Sequence, residues 1–435
     1  MIALGLEEIA ALAPGRLIPA GWAESVTGVQ IDSRRVEEGD LFVAVGRGGD
    51  FRDHAFARGA AAVLVPDDAH AALAALGRSV RDRSSARVVG ITGSMGKTST
   101  KDILAALCRP HARTVAAEAS YNAELGVPLT LCRLEADTEV AILELAMRGF
   151  GQIASLCEIA RPDVGVITAI APAHTEFVGS LAGVARAKAE LLAALPPGAT
   201  AVVPAGSAEL AEHLREDLTI RRFGEGGEAV VSRFERLGDR VRATFQIGGQ
   251  ALTLELRLTA RHQADNTLAA LLAYQALGLP LGDVQTGVDA VELSRWRGEE
   301  TALPGGGLLV NDAYNANPAS MRAALAHLVA RAEGRRTVAI LGDMAELGAD
   351  APAYHLAVGE VARELGIDAL LAVGPLAARY VEGAGFGEVV RDAAGAIERL
   401  DRFIRPNDCV LVKASRAVGL EEVAEALAYL EPVKT

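Results

Sequence analysis

Apolar positions along this chain fall into short continuous runs, each followed by a stretch where they recur every three or four residues. The first pattern reads as a buried strand and the second as one face of a helix. Near the start, Leu41–Val45 and Ala61–Val65 are strands on this reading. A helix over His54–Arg58 lies between them, and the polar Asp32–Arg35 and Gly48–Asp50 are loops. From residue 87 the alternation becomes regular. Strands over Arg87–Ile91, Val140–Leu143, Val164–Ile170 and Ala201–Val203, with helices between, predict a mostly parallel sheet. Val230–Phe234, Val241–Ile247 and Leu252–Leu258 then read as an antiparallel meander appended to it. Leu293–Gly307 is rich in Gly, Arg and Trp and lacks a clear period. After it, strands over Leu308–Asn311, Thr337–Leu341, Ala369–Val373 and Cys409–Val412 open a second βα alternation. The breaks at Asp82–Arg87 and Leu293–Gly307 divide the chain into 1–86, 87–294 and 295–435, an α/β protein of three domains.

The break after the strand at Arg87–Ile91 is chemically loaded. Gly90–Thr100 reads G-I-T-G-S-M-G-K-T-S-T and leads into Ile103, Leu104 and Leu107, spaced as one helix face. A strand that dissolves into Gly93-Ser94-Met95-Gly96 and restarts as a helix at Lys97-Thr98 is a phosphate cradle. Backbone N–H groups face the anion, Lys97 reaches the outer phosphates, and the Thr98 hydroxyl can ligate Mg²⁺. The spacing is the shorter T-G-x-x-G-K-T, because Ile91 stands where the common motif has Gly. In a parallel sheet ligands sit beyond the carboxyl ends of the strands, so polar residues that end apolar runs matter most. Glu144 follows Val140–Leu143 and is either an Mg²⁺ ligand or a solvated strand-end carboxylate. His174 follows the next run and is either a ligand or a structural histidine. Asn266 lies on a helix of Ala and Leu, where its amide needs a partner. In the last segment Asn311–Pro318, Gly342–Gly348 and Lys413–Arg416 end three successive strands and describe a crevice. In the first, Ser33-Arg34 either holds a phosphate or forms a solvated turn.

Composition narrows the partners. A net charge of −13 argues against nucleic acid, and the longest apolar stretch, Leu268–Leu281, is too short to span a membrane. Glu7 and Glu8 replace the basic start of a secretory signal, and the four cysteines show no C-x-x-C spacing. The expectation is a cytoplasmic protein with reduced thiols. The chain holds five lysines against 38 arginines, so a surviving lysine is a candidate for work a guanidinium cannot do. Lys97, Lys188 and Lys413 fall inside motif-like stretches, Lys101 reads as a solvated helix position, and Lys434 as a tail residue.

These residues carry a resemblance. Asp32-Ser33-Arg34, Thr92–Thr98, Tyr121-Asn122 before Glu124–Thr130, Leu143–Gly149, Ala173-His174, Gly179–Gly183 leading to Ala187–Glu190, and the runs N-D-A-Y-N-A-N-P-x-S-M and G-D-M-A-E-L-G together resemble the Mur ligases. These are ATP-dependent amide-forming enzymes of peptidoglycan precursor synthesis. The resemblance covers nearly the whole chain. It implies a central P-loop-type domain with a mostly parallel sheet, flanked by a small N-terminal α/β domain and a C-terminal Rossmann-like α/β domain. The last two runs imply the activity that joins D-Ala-D-Ala to UDP-MurNAc-tripeptide through an acyl phosphate, and a monomer is the expectation. A sister ligase adding the third amino acid, a folate polyglutamate-type ligase and a P-loop kinase or NTPase are the alternatives.

Roles follow from the resemblance position by position. Ser33 and Arg34 would contact UDP. Gly93, Ser94, Gly96, Lys97 and Thr98 would hold the ATP phosphates, with Asn266 and Asp312 on the adenine and ribose side. Thr98, Glu144, His174 and Lys188 would form the Mg²⁺ site, Lys188 as the lysine that CO₂ carbamylates, and Lys97, His174 and Lys188 would serve catalysis. Asn122, Asn315, Asn317, Lys413, Ser415 and Arg416 would face the substrates. The sequence departs from the family pattern at Ser120 and Ala123, beside Asn122, and at Ala169 and Ala171, where Asn and Gly are usual.

Overall fold

In a computed structural model of the chain, residues 1–118 and 121–429 are described. Ser120 and Lys434 therefore lie outside the described residues. The architecture is α/β, built on three main sheets. The central one has nine strands in the order Gln250–Leu256, Arg240–Ile247, Ala229–Leu237, Thr219–Phe223, Thr200–Pro204, Val164–Ile167, Arg87–Thr92, Val140–Glu144 and Thr114–Ala116. Its first three strands form the expected antiparallel meander, and the rest run parallel. Every residue of Val140–Glu144 is buried, as a strand covered by helices on both faces requires.

The C-terminal sheet has six strands in the order Glu299–Ala302, Leu308–Asn311, Cys409–Lys413, Thr337–Gly342, Ala369–Val373 and Glu388–Val390, parallel except at the first pair. A four-stranded sheet of Gly15–Pro19, Ala62–Pro66, Asp40–Val43 and Gly28–Gln30 forms the N-terminal part. Its core continues into the central layers, since Leu64, Leu73 and Leu76 belong to the same apolar cluster as Leu143 and Leu191. Helix Ala69–Arg83 makes this junction. A Cβ on Gly77 would lie 2.9 Å from the Cα of Pro128, so only glycine lets the two helices approach.

Four expectations need adjusting. Lys101, expected as a solvated helix position, is buried, donating to Ala117 O at 2.7 Å and paired with Asp102 at 2.8 Å. The strand predicted over Val164–Ile170 ends at Ile167, because Thr168 leaves the ladder to bond the phosphate loop. Asp82 and Arg83 complete helix Ala69–Arg83, which shortens the first break. Leu293–Gly307 is not structureless. It contains the edge strand Glu299–Ala302, paired antiparallel with Leu308–Asn311.

That edge strand anchors the C-terminal layers. Glu300 accepts hydrogen bonds from Thr259 Oγ1 at 2.5 Å and from Arg331 Nη2 at 2.7 Å, and lies 3.1 Å from His327 Nε2. Burial pushes its pKa up, but these hydrogen bonds outweigh burial and hold the carboxyl far below the usual range. Arg236, on the meander, donates to Ala330 O at 2.8 Å and adds a second tie to the same helix, Pro318–Ala332.

Removing one partner of such a part-buried charge cluster strands the others. Glu300→Ala should destabilise the fold by about 3 kcal/mol, read as a lower urea midpoint. Because the folded-state pKa of Glu300 lies below its unfolded value, this contribution is present at neutral pH. It is lost only as pH falls below the usual carboxylate range.

Candidate active site

The carboxyl ends of the central strands and those of the C-terminal sheet face a shared cavity of about 500 Å³. The phosphate loop forms one wall. Gly93 has φ +150° and a Cβ there would meet Thr168 Oγ1 at 1.9 Å. Gly96 has φ +80° and a Cβ there would meet Asn266 Oδ1 at 2.3 Å. Both positions are closed to any side chain. Thr168 Oγ1 donates to Met95 O at 2.5 Å. Ser94 Oγ donates to Ala171 O at 2.8 Å and accepts from Ala171 N at 3.0 Å. The ties to residues 169 and 171 run through backbone atoms, so alanine serves there. Ser94 is thus a brace of the loop, with its N–H already given to Ala169 O.

Helix Lys97–Cys108 starts at the loop and aims its first N–H groups at the cavity. Lys97 Nζ lies over the loop and donates to Gly93 O at 2.8 Å. Burial lowers its pKa, Glu144 opposes this, and nearby Arg297 adds to it. Glu144 is 1 % exposed. One oxygen accepts from Thr98 Oγ1 at 2.8 Å and the other from Asn122 Nδ2 at 2.9 Å. Among the described residues no cationic side chain forms an ion pair with it. A buried carboxylate beside a hydroxyl suits a hard divalent cation. The described residues contain no cage of three acidic, His or Cys groups. Mg²⁺ in a phosphate site does not need one, because phosphates and water supply most of its ligands. The residues therefore fit Mg²⁺.

Lys188 is 2 % exposed on helix Leu181–Ala194 and has no acidic partner among the described residues. Burial first, then the charge of Lys97, drives its pKa well below that of a free amine. It does not line the cavity, but its charge reaches His174. His174 lines the cavity, and burial followed by Lys97 lowers its pKa.

The opposite wall comes from the C-terminal sheet. Asn317 Nδ2 donates to Ser94 O at 3.1 Å and so touches the phosphate loop directly. Its own Oδ1 caps helix Pro318–Ala332 through Ser320 N, which fixes it there. Lys413 Nζ pairs with Asp312 Oδ2 at 2.5 Å and donates to Asn315 O at 2.9 Å. Ser415 Oγ accepts from Ala345 N at 2.8 Å, so it shapes the Gly342–Gly348 loop and does not line the cavity. Arg416 lies outside as well, stacked on Trp296 at 4.3 Å and paired with Glu421. Ser33 and Arg34 do not line the cavity. Ser33 is buried, 3.0 Å from His54 Nδ1, while the exposed Arg34 forks onto Asp32. Their neighbour Arg35 reaches Glu118 at 2.6 Å and Tyr121 at 3.4 Å, next to the Asn122–Glu124 segment of the wall.

Arg297, His262 and Arg148 line the cavity without a role in the sequence reading. Arg297 stacks on the Tyr314 ring at 4.0 Å, and its buried Nε has no hydrogen-bond partner among the described residues. Only its chemistry, one Arg in a Gly/Arg/Trp stretch, hinted at this. His262 sits four residues before Asn266 on helix Arg261–Ala276, hence on the same face, a spacing that could have exposed it. Burial brings its pKa to about 4, so the ring is neutral at physiological pH. Arg148, inside the Leu143–Gly149 run, also lines the cavity.

The glycine cradle at the end of a parallel strand, the buried carboxylate beside it and the polar wall from the second sheet are those of a nucleotide-dependent enzyme working between layers. The comparisons make this specific. The Mur ligase middle domain matches residues 91–274, and the Mur ligase, glutamate ligase domain matches residues 296–416. The UDP-N-acetylmuramoyl-tripeptide–D-alanyl-D-alanine ligase of Synechocystis sp. is 35 % identical over 94 % of this chain and 93 % of its own. A crystal structure of MurF from Acinetobacter baumannii superposes with a TM-score of 0.87 at 28 % identity, covering 98 % and 99 % of the two chains. MurF from Thermotoga maritima, solved in complex with ADP, gives 0.80 at 29 % identity, covering 92 % of this chain and 97 % of that one. The chain belongs to the Mur ligase family.

Gly96→Ala adds a methyl group where φ is positive and Asn266 is in contact. ATP affinity measured by calorimetry should fall at least tenfold while the melting temperature stays within a few degrees.

Proposed function

We propose that this chain joins D-alanyl-D-alanine to UDP-N-acetylmuramoyl-tripeptide at the expense of ATP, the reaction its full-length relatives are named for. One observation carries the reading beyond family membership. The N-D-A-Y-N-A-N-P run reaches across to the phosphate loop through Asn317 and Ser94, so nucleotide and acceptor chemistry share one cavity. The domains of the proposal are 1–86 for the UDP end, 87–294 for ATP, and 295–435 for the nucleotide and dipeptide side.

A carboxylate resists attack by an amine until one oxygen becomes a leaving group. The γ-phosphoryl of ATP passes to the terminal carboxylate of the tripeptide, giving an acyl phosphate and ADP. The dipeptide amine adds to the acyl carbon, loses a proton, and the tetrahedral intermediate expels phosphate. The chain contributes position and charge. Lys97, the N–H groups at the start of its helix and Arg297 surround the phosphates. His262, Asn266 and Asp312 face the nucleoside side. Thr98 and Glu144 would hold Mg²⁺, with His174 beside them, and the cation would neutralise charge on the transferring phosphoryl group.

Lys188 supports the carbamate role on physical grounds. CO₂ adds only to a neutral amine, giving N–COO⁻ and a proton. Burial without an acidic partner favours the neutral form. The carbamate turns a buried neutral amine into an anion that the charge of Lys97 can answer, and no arginine can form it. Ser33 and Arg34, outside the cavity lining, would hold the UDP end of a substrate whose peptide end reaches the cavity. Lys413 and Ser415 would set the shape of the acceptor wall, with Asn315 and Asn317 at its surface and Arg416 at its rim.

Phosphate release from ATP should require both the UDP-linked tripeptide and D-Ala-D-Ala. Release without either substrate would mark an NTPase, and dependence on a free amino acid with the dipeptide precursor would mark the sister ligase. Lys97→Ala should lower kcat by about 10²–10⁴. Lys188→Ala should be inactive and regain activity with short carboxylic acids, whereas full activity without rescue would refute the carbamate.

A further inference from the structure

Glu346 belongs to the Gly342–Gly348 loop of the C-terminal sheet, yet its carboxylate lies against the central layers. It is hydrogen-bonded to His174 Nδ1 and paired with Arg148 Nε at 3.2 Å. The approach is close along its whole length. Glu346 O accepts from Glu176 N at 3.3 Å, Thr175 Oγ1 donates to Leu347 O at 3.1 Å, and a Cβ on Gly348 would sit 3.2 Å from Glu176 Cα. Both partners hold backbone conformations that side chains avoid. His174 has φ +57° and Glu346 has φ +60°. The left-handed region disfavours a glutamate and is tolerated somewhat better by a histidine, so the surroundings must hold both residues there. Two such residues meeting across a seam between sheets indicate that the contact itself is what the strain supports.

The loop is built to deliver this carboxylate. Asp343 accepts from Leu376 N at 3.1 Å, Met344 N donates to His355 Nε2 at 3.0 Å, and Ala345 N donates to Ser415. Three successive residues are thus pinned by groups from other elements immediately before Glu346.

We infer that Glu346 is a positioning residue for the ligase reaction: when the C-terminal layers close on the central ones, its carboxylate fixes the ring of His174, with Arg148 holding the carboxylate in place. This rests on the ligase reading. A carboxylate only accepts, so Nδ1 of His174 carries the proton and Nε2 is left with its lone pair. Residues that orient a ligating histidine commonly carry 10–100-fold effects on activity or metal affinity. Here the orienting group comes from the opposite side of the cavity, so His174 is set for its task only in the closed arrangement. ATP could bind to the central layers beforehand without the reaction being armed.

The test compares the full-length protein with Glu346→Ala, Glu346→Gln, His174→Ala and the Glu346→Ala/His174→Ala pair. Substrate-dependent turnover of the parent is established first, so that failure of the ligase reading shows separately. In Glu346→Ala, kcat should drop about 10–100-fold with KM for ATP within twofold, and the double variant should be no slower than His174→Ala. A drop under twofold, or losses that multiply in the double variant, would overturn the inference. ¹⁵N-histidine spectra with a non-hydrolysable ATP analogue and the UDP-linked substrate give a readout independent of turnover. The parent should show His174 protonated at Nδ1 and Glu346→Ala a mixture of tautomers, while identical spectra would refute the role. If Glu346→Ala does not fold, Glu346→Gln still decides. Its amide oxygen can accept the Nδ1 proton, so the parent tautomer should persist with kcat within about tenfold, and a lost tautomer would overturn the claim.

Discussion

Two amines and one carboxylate, buried together at the edge of a parallel sheet, set the terms for the rest of this protein. Burial and then the charge of Lys97 lower the pKa of Lys188, while burial and Arg297 lower that of Lys97 and Glu144 opposes them. Burying such groups is costly unless the surroundings or a ligand answer them. The fold answers with oriented dipoles and short polar contacts. Thr98 and Asn122 hold Glu144, the helix start at Lys97 faces the anion site, and Gly93 O receives the Lys97 ammonium. A triphosphate and a divalent cation have the charges that this arrangement favours.

The same constraint explains why the site sits between layers. A single sheet edge can cradle phosphates, but a carboxylate-activating ligase must also exclude water from an acyl phosphate and admit an amine. The second sheet presents its own strand ends to the first, so the two crevices become one cavity. Its grip is specific. Asn317 touches Ser94, Glu346 touches His174 and Arg148, and the Glu300 cluster with Arg236 secures the base of the joint. Contacts between the two sets of layers are polar both at the cavity and at the base.

How much of this the sequence reveals depends on how local the cause is. The phosphate loop is legible because strand, glycines, lysine and helix follow one another within a dozen residues, and each has its own physical signature. Glu144 and Asp312 are legible because polar residues that end buried strands must face the ligand edge. Glu300, Arg297 and the Glu346–His174 pair are not, because their roles arise from elements distant in sequence that meet only after folding. The stretch around Arg297 lacks periodicity for a physical reason. It crosses from one sheet to the other, paired on one edge only, so no repeating face records its surroundings. Ser94 and Ser415 are visible as motif residues but act as braces, which only the hydrogen-bond geometry reveals.

The central claim is that ATP activates a carboxylate, and the fate of that carboxylate's oxygen tests it most directly. With the tripeptide labelled by ¹⁸O at its terminal carboxylate, turnover in the presence of D-Ala-D-Ala should place one labelled oxygen in each phosphate released. Phosphate free of label at a full yield of peptide would mean that no acyl phosphate forms, and would contradict the account.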